Sequence, residues 1–294
     1  RLRLRLIQYS FVEQYIRKQM SDTEIPKALL NVKNVILVLS GKGGVGKSSV
    51  TTQLALTLSL KGYKIGVLDI DLTGPSLPRM FDMENSKIMQ SNNGWLPVNI
   101  PSKSINNIKV MSLGFLLNNR GDSVVWRGPK KTGMIRQFFK EVQWGELDYL
   151  IIDTPPGTSD EHIAIAEELN KVPEKIYGAV IVTTPQLVSV DDVRKEINYC
   201  EKAAFKVLGI VENMSGFVCP YCAECTNIFS KGGGENLANE LNLKFLGAVP
   251  IDPLFVDIIE NQSKLKLEQG KTLSELYSSS NMYPIFESVV EQIL

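Results

Sequence analysis

Val35-Ile36-Leu37-Val38-Leu39-Ser40-Gly41-Lys42-Gly43-Gly44-Val45-Gly46-Lys47-Ser48-Ser49 is the stretch that decides the fold. An apolar, β-branched run ends at Ser40 and a glycine-rich turn follows. From Lys47 an apolar pattern at helical spacing runs through Leu54, Ala55, Leu58 and Leu60. That order is strand, phosphate loop, helix, and Gly41-x-x-x-x-Gly46-Lys47-Ser48 fits the Walker A pattern. The glycines Gly41, Gly43, Gly44 and Gly46 let successive N–H groups, Val45 among them, turn inward as an anion nest, and the helix start at Lys47, Ser48 and Ser49 adds its positive dipole end. Lys47 is expected to reach the β- and γ-phosphates, and the Ser48 hydroxyl to hold Mg²⁺. Lys42 gives the loop a second ammonium, which cannot easily approach the same phosphates from below. By residue type alone it is either a solvated lysine or a group with a separate task.

Working outward, Lys64-Ile65-Gly66-Val67-Leu68-Asp69-Ile70-Asp71 reads as a second strand ending in two acids. A period of two would put both carboxylates on one side, at the carboxyl end where open α/β sheets bind nucleotides. Asp71 is the candidate to orient or deprotonate the attacking water. Asp69 is expected near Mg²⁺, with a helix-capping role as its plainer reading. Leu147-Asp148-Tyr149-Leu150-Ile151-Ile152-Asp153-Thr154-Pro155-Pro156-Gly157 is a buried strand that delivers Asp153, a Walker B type acid, to the metal. Gly157 offers an N–H to a γ-phosphate, as nucleotide switches do. Val207-Leu208-Gly209-Ile210-Val211-Glu212 forms a further strand with Asn213 at its end, where an amide can read an adenine edge. Strands alternating with helices predict an α/β fold: a doubly wound, mostly parallel sheet of the P-loop NTPase type, in a single domain.

The remaining chain is less informative. Residues 84–107 read as loop, with Asn92-Asn93-Gly94, Pro97 and Pro101, and a helix is expected from the Trp126-Arg127-Gly128-Pro129 turn through Phe139. His162, the one histidine, is expected in the first turn of a helix capped by Ser159 and is given no role. Residues 1–30 form an N-terminal extension of unknown role before the ATPase domain at 31–294. Its Arg1-Leu2-Arg3-Leu4-Arg5-Leu6 start is Arg-rich, as presequences are, yet Glu13, Asp22 and Glu24 argue against a long transit peptide.

In 294 residues, Lys+Arg and Asp+Glu are equal at 32 each, so nothing in the bulk charge draws nucleic acid. No run approaches the ~18 apolar residues of a membrane span. The four cysteines are Cys200, Cys219, Cys222 and Cys225. Cys219-Pro220-Tyr221-Cys222-Ala223-Glu224-Cys225 lies in a metal loop expected over 213–233, a spacing suited to metal rather than to a secreted disulfide framework, and the chain reads as intracellular. Zinc and cubane clusters both favour four protein ligands. One chain offers three here, with Cys200 distant on a helix where a lone cysteine is usually a small core residue. Two chains meeting at an axis would offer two Cys-x-x-Cys pairs, which makes four. A zinc knuckle completed by Cys200 is the alternative from the residues alone.

Gly41-Lys42-Gly43-Gly44-Val45-Gly46-Lys47-Ser48, Asp69-Ile70-Asp71-Leu72-Thr73-Gly74-Pro75-Ser76, Trp126-Arg127-Gly128-Pro129, Asp153-Thr154-Pro155-Pro156-Gly157-Thr158-Ser159-Asp160 and Asn213-Met214-Ser215-Gly216 with the Cys-x-x-Cys together resemble the Mrp/NBP-type P-loop ATPases, which carry a deviant Walker A lysine. The likeness covers about residues 30–290. Within that family the chain resembles the smaller cytosolic iron–sulfur scaffold, because no cysteine precedes Cys200, whereas the larger scaffold carries an added N-terminal cysteine motif. The mitochondrial relative that serves respiratory complex I assembly is the runner-up, favoured by the basic N-terminus alone. The resemblance implies an ATPase whose Lys42 crosses a dimer interface to the partner's ATP. It also implies a 4Fe–4S cluster bridged by Cys219 and Cys222 of two subunits, with Cys225 a third candidate ligand. The implied assemblies are a homodimer, or a heterodimer or heterotetramer with the larger scaffold. Apo iron–sulfur proteins would be the recipients, in the cytoplasm, with no nucleic acid or membrane partner. A membrane-cycling positioning ATPase would need a basic amphipathic C-terminal helix, and the ending here is short and acidic.

Overall fold

The computed structural model describes residues 25–72, 74–100, 108–116, 128–219, 221–222, 224–226, 228–229 and 231–294. Residues 1–24, Thr73, Pro101, Trp126 and Arg127 of the readings above lie outside them. In chain order the first elements are β1 (Val32–Leu39), α1 (Lys47–Leu60), β2 (Ile65–Asp69), the short α2 (Leu77–Met80), β3 (Met89–Ser91), β4 (Gly94–Leu96), β5 (Val98–Asn99) and β6 (Lys109–Ser112). Then come α3 (Gly128–Glu141), β7 (Leu147–Asp153), α4 (Asp160–Leu169), β8 (Ile176–Thr183), α5 (Leu187–Lys202), β9 (Val207–Val218) and β10 (Cys225–Thr226). The chain closes with α6 (Gly233–Glu240), β11 (Phe245–Ile251), α7 (Pro253–Glu260), α8 (Gln262–Gln269), α9 (Leu273–Ser278) and α10 (Met282–Ile293).

The main sheet runs β9-β8-β1-β7-β2-β6-β5, with β11 also paired to β9 and β10 folded back on the far end of β9. All its pairings are parallel except β5 with β6 and β10 with β9. The reason is visible in β1. Val35, Leu37 and Leu39 enter one core with Ile135, Phe138, Ile165 and Leu169 of α3 and α4. Ile36 and Val38 enter the other, with Val50, Leu54 and Leu58 of α1 and Phe286, Val289 and Ile293 of α10. A strand apolar on both faces demands helices on both sides, which antiparallel hairpins do not supply. The doubly wound, mostly parallel α/β expectation is met. Among the described residues no helix is long and apolar enough to cross a membrane.

Three local features differ from the expectations. Residues 84–107 are not all loop: β3 and β4 form a two-stranded hairpin across Asn92-Asn93, and β5 joins the main sheet. The hairpin lacks a long apolar alternation and is held by tertiary contacts. The Trp95 ring meets Phe138 edge-on at 5.6 Å, and at Gly94 a Cβ would stand 2.1 Å from the Glu141 carbonyl. Second, β9 does not end at Asn213 but continues to Val218. Third, Ala28 and Leu29 are buried, so packing begins a few residues inside the segment expected as an extension.

His162 shows how α4 begins. Ser159 caps the helix, and the His162 Nδ1 three residues on accepts the Ser159 N–H at 3.4 Å, a reciprocal capping box. The ring lies 5.2 Å from Tyr199 of α5, edge-on, and the Tyr199 hydroxyl donates to the His162 carbonyl at 2.9 Å. Burial pushes the imidazole down to about 4. A base whose folded-state value is depressed loses stability as pH falls, here across the window from about 6.5 to about 4. Full development of that difference amounts to about 3 kcal/mol. Denaturant titrations between pH 7 and pH 4 are therefore expected to show wild type losing about that much more stability than His162→Gln, which keeps a capping-box side chain. Equal losses in the two proteins would refute the assignment.

Candidate nucleotide site and cysteine hairpin

The P-loop closes at the carboxyl end of β1. Residues 42–49 wall a cavity of about 340 Å³, completed by Asp71, Gly74, Ser76, Met80 and Pro156. Lys42 is half-buried on this wall. Lys47, which opens α1, is 6% exposed and its Nζ stands 2.7 Å from Asp153 Oδ1. Ser48 Oγ donates to the other oxygen of Asp153 at 2.6 Å, and Thr51 Oγ1 donates to Oδ1 at 2.8 Å. Asp153 is fully buried at the end of β7, so α1 and β7 are joined through one carboxylate holding an ammonium and two hydroxyls. Thr51 was not singled out by motif, but it lies one helical turn after Lys47 and so on the same face.

The carboxylates of Asp69 and Asp71 do not lie side by side as the strand period predicted. β2 ends at Asp69, whose Oδ1 accepts the Asp71 N–H at 3.1 Å, an Asx-type turn that breaks the alternation. Asp69 is buried, with Ser112 Oγ donating to its Oδ2 at 2.9 Å. Its ladder partner is Asp153. Burial, reinforced by the Asp153 charge, pushes Asp69 well above the usual carboxylate range, which disfavours a second anion beside Asp153. Asp71 alone reaches the cavity wall.

Gly157, with φ of +72°, departs from its expected role: its N–H donates to the Ser40 carbonyl at 2.8 Å rather than facing the cavity, and it stands beside Gly41. Gly41 itself packs on α5, where a Cβ would fall 2.6 Å from the Asp192 backbone. Asn213 also departs from its expected place. It is buried, off the cavity wall, and its Nδ2 donates to the Val45 carbonyl at 2.8 Å, bracing the loop from behind. The pairing is invisible in sequence because it joins residues 168 positions apart.

β9 carries the chain from Asn213 to the cysteines. Cys225 and Thr226 of β10 pair back on Val218 and Phe217, and the Cys219 N–H donates to the Glu224 carbonyl at 2.9 Å. At the tip Cys219 is half-buried and Cys222 exposed. The Cys219 thiol is drawn below its usual value by the backbone N–H groups of Cys222 and Tyr221 and by the Cys222 side chain. Donors gathered on one sulfur favour the thiolate, which is the metal-binding form. Cys200 is the opposite case. It is fully buried in the core with Phe205, and burial pushes its thiol up to about 12. It stays a neutral core residue, which removes the zinc knuckle completed by Cys200. Among the described residues no group of three or more His, Cys, Asp or Glu side chains converges as a metal site.

Comparison with known proteins agrees with this geometry. The ParA family model, described as NUBPL iron-transfer P-loop NTPase, matches residues 31–293. A Kluyveromyces lactis protein named cytosolic Fe-S cluster assembly factor CFD1 is 62% identical over 278 residues, covering 93% of this chain and 96% of the relative. The Saccharomyces cerevisiae protein of the same name is 61% identical over 277 residues, covering 93% and 92%. Among solved structures, a nucleotide-binding protein from Archaeoglobus fulgidus in complex with ADP superposes with a TM-score of 0.69 at 38% identity, covering 87% of this chain and 93% of that one. The Aquifex aeolicus cell division protein MinD shares the fold, with a TM-score of 0.52 at 19% identity over 88% and 96% of the two chains. The chain thus belongs to the iron-transfer P-loop NTPases, as its phosphate loop and cysteine hairpin on one sheet had indicated.

Proposed function

We propose that the protein is an ATP-dependent scaffold that assembles a transient 4Fe–4S cluster and passes it to cytosolic and nuclear apo-proteins. The observation that carries this reading is that β9 bears the amide bracing the P-loop and, one residue past its end at Val218, leads into Cys219, whose thiol is drawn below its usual value by the Cys222 and Tyr221 N–H groups. Relatives at 62% and 61% identity are named cytosolic assembly factors, which supports a cytosolic setting.

In this reading ATP enters the cavity with its phosphates on the N–H groups of residues 43–49 and on Lys47, which leaves Asp153 for them. Ser48 Oγ and the Asp153 carboxylate are hard oxygen donors close to each other, a set that fits Mg²⁺, which neutralises phosphate charge when bound. Asp71, on the cavity wall, orients the attacking water and accepts its proton. Gly157 gives its N–H to the Ser40 carbonyl, so following the γ-phosphate would require that bond to break. Lys42 reaches the nucleotide of a second subunit, either another copy or the larger scaffold.

The cluster is cargo. Cys219 and Cys222 supply two thiolates and the same pair from the partner supplies two more, with Cys225 on β10 as a further candidate. Opening the dimer removes half the ligands at once, which suits release to an apo-protein. Nucleotide turnover gates that opening.

Two outcomes test this reading. Anaerobic reconstitution is expected to give about two irons and two sulfides per chain in a dimer, as one shared cubane requires. Cys219→Ala and Cys222→Ala should abolish iron loading while leaving ATP affinity intact. One tightly held zinc per chain with no sulfide would overturn the carrier role. Separately, Asp71→Asn is expected to lower kcat for ATP hydrolysis about 100-fold or more with little change in nucleotide affinity, since it removes proton transfer and not phosphate binding. Unaltered kcat would exclude Asp71 as the base.

A further inference from the structure

We propose that Asn213 is a positioning residue that couples the nucleotide at the P-loop to the cysteine hairpin. This rests on the scaffold reading and supplies the route by which ATP would gate the cluster. The Val45 carbonyl and the Gly46 N–H belong to one peptide unit, planar and trans. Asn213 Nδ2 holds the carbonyl end at 2.8 Å, so the N–H end points the opposite way, and Val45 and Gly46 both line the cavity. A phosphate drawn to that N–H therefore rotates a plate whose other edge is tied to β9.

The approach is tight. A Cβ at Gly46 would stand 2.2 Å from Asn213 Nδ2, and φ at Gly46 is +81°, so only glycine allows the contact. Met214, next along β9, has φ of +58°, a left-handed conformation that a methionine seldom takes, and its Cε lies 3.6 Å from the same Gly46 Cβ position. Glu212 clamps both sides of this kink. Its Oε1 accepts Ser215 Oγ at 2.6 Å, and its Oε2 accepts the Gly234 N–H at 2.6 Å, at the start of the helix that follows the hairpin. The kink is thus fixed at both ends, by the P-loop and by α6. Beyond it Phe217 and Val218 pair directly with β10, so displacement at Asn213 is passed to the base of the Cys219–Cys222 tip. Strained backbone persists where surrounding contacts over-determine it, and here those contacts join the two functional ends.

The test uses cluster-free protein and iodoacetamide, reading the alkylation rate of Cys219 and Cys222 by peptide mass spectrometry with and without a non-hydrolysable ATP analogue and Mg²⁺. Buried Cys200 serves as an internal monitor of unfolding. In wild type the nucleotide is expected to change the Cys219 rate by about fivefold or more, within the usual range of coupling between sites. In Asn213→Ala the nucleotide still binds, measured by separate titration, but the Cys219 rate no longer responds. Asn213→Asp keeps the side-chain size while losing the donor to Val45, and should behave alike if the alanine variant exposes Cys200. A full nucleotide response in both variants would overturn the Asn213 route and leave gating intact. No response in wild type would overturn gating itself, and the route with it.

Discussion

Everything near the phosphate loop depends on the Asp153 carboxylate. Burying a carboxylate is costly unless it is matched, and here one ammonium and two hydroxyls match it, all three from the first turns of α1. The arrangement is not chiefly a source of stability, because a buried ion pair recovers little more than its desolvation cost. What it secures is geometry. It sets the start of α1 against the end of β7, and with β2 alongside its charge raises the Asp69 carboxyl above its usual range. A phosphate that drew Lys47 away would leave the Asp153 carboxylate without its ammonium, held only by the Ser48 and Thr51 hydroxyls.

Much of the fold was legible because its cause is local. β1 is apolar at every position facing either core, and the P-loop glycines announce backbone geometry that other residues avoid. For the same reason Lys47, Ser48 and Asp153, singled out in the sequence, come together through hydrogen bonds, with Asp71 on the cavity wall. Less legible was whatever depends on a partner far along the chain. The Asn213 side chain belongs to the strand end that was predicted, but its contact with Val45 spans 168 residues. The misreading of Asp69 was local, since extrapolating a period of two beyond the end of β2 ignored an aspartate's tendency to cap its own turn. The β3–β4 hairpin escaped notice because its strands are three residues each, too short for alternation to declare itself.

The three described cysteines show one element in opposite states. Cys200 contributes a small apolar group to a core packed with aromatic rings, and burial keeps its proton on. Cys219 sits at an exposed hairpin tip where backbone N–H groups converge, which favours losing the proton. Spacing drew Cys219 and Cys222 together in the sequence and set Cys200 apart, and its burial in the core bears out that separation. Tyr221, between the hairpin cysteines, is 96% exposed, leaving a large aromatic surface uncovered beside the thiols. A partner that covers the cysteines would cover that ring as well.

Eleven of the fourteen residues of α1 are buried, including Thr51, Thr52, Gln53, Thr57 and Ser59. Such a helix has no solvent face. Thr51 and Thr52 bond back to the carbonyls of Lys47 and Ser48, and Thr57 meets the Tyr277 hydroxyl of α9 at 3.0 Å. The helix that presents Lys47 and Ser48 is therefore a stator, enclosed by sheet on one side and C-terminal helices on the other. Any stroke driven by the nucleotide has to be taken up by the loops around it and by the far end of β9, where β10 folds back on it. Variation among related chains would on this account be tolerated at the periphery, where recipients and partners differ, while the enclosed helix admits almost none.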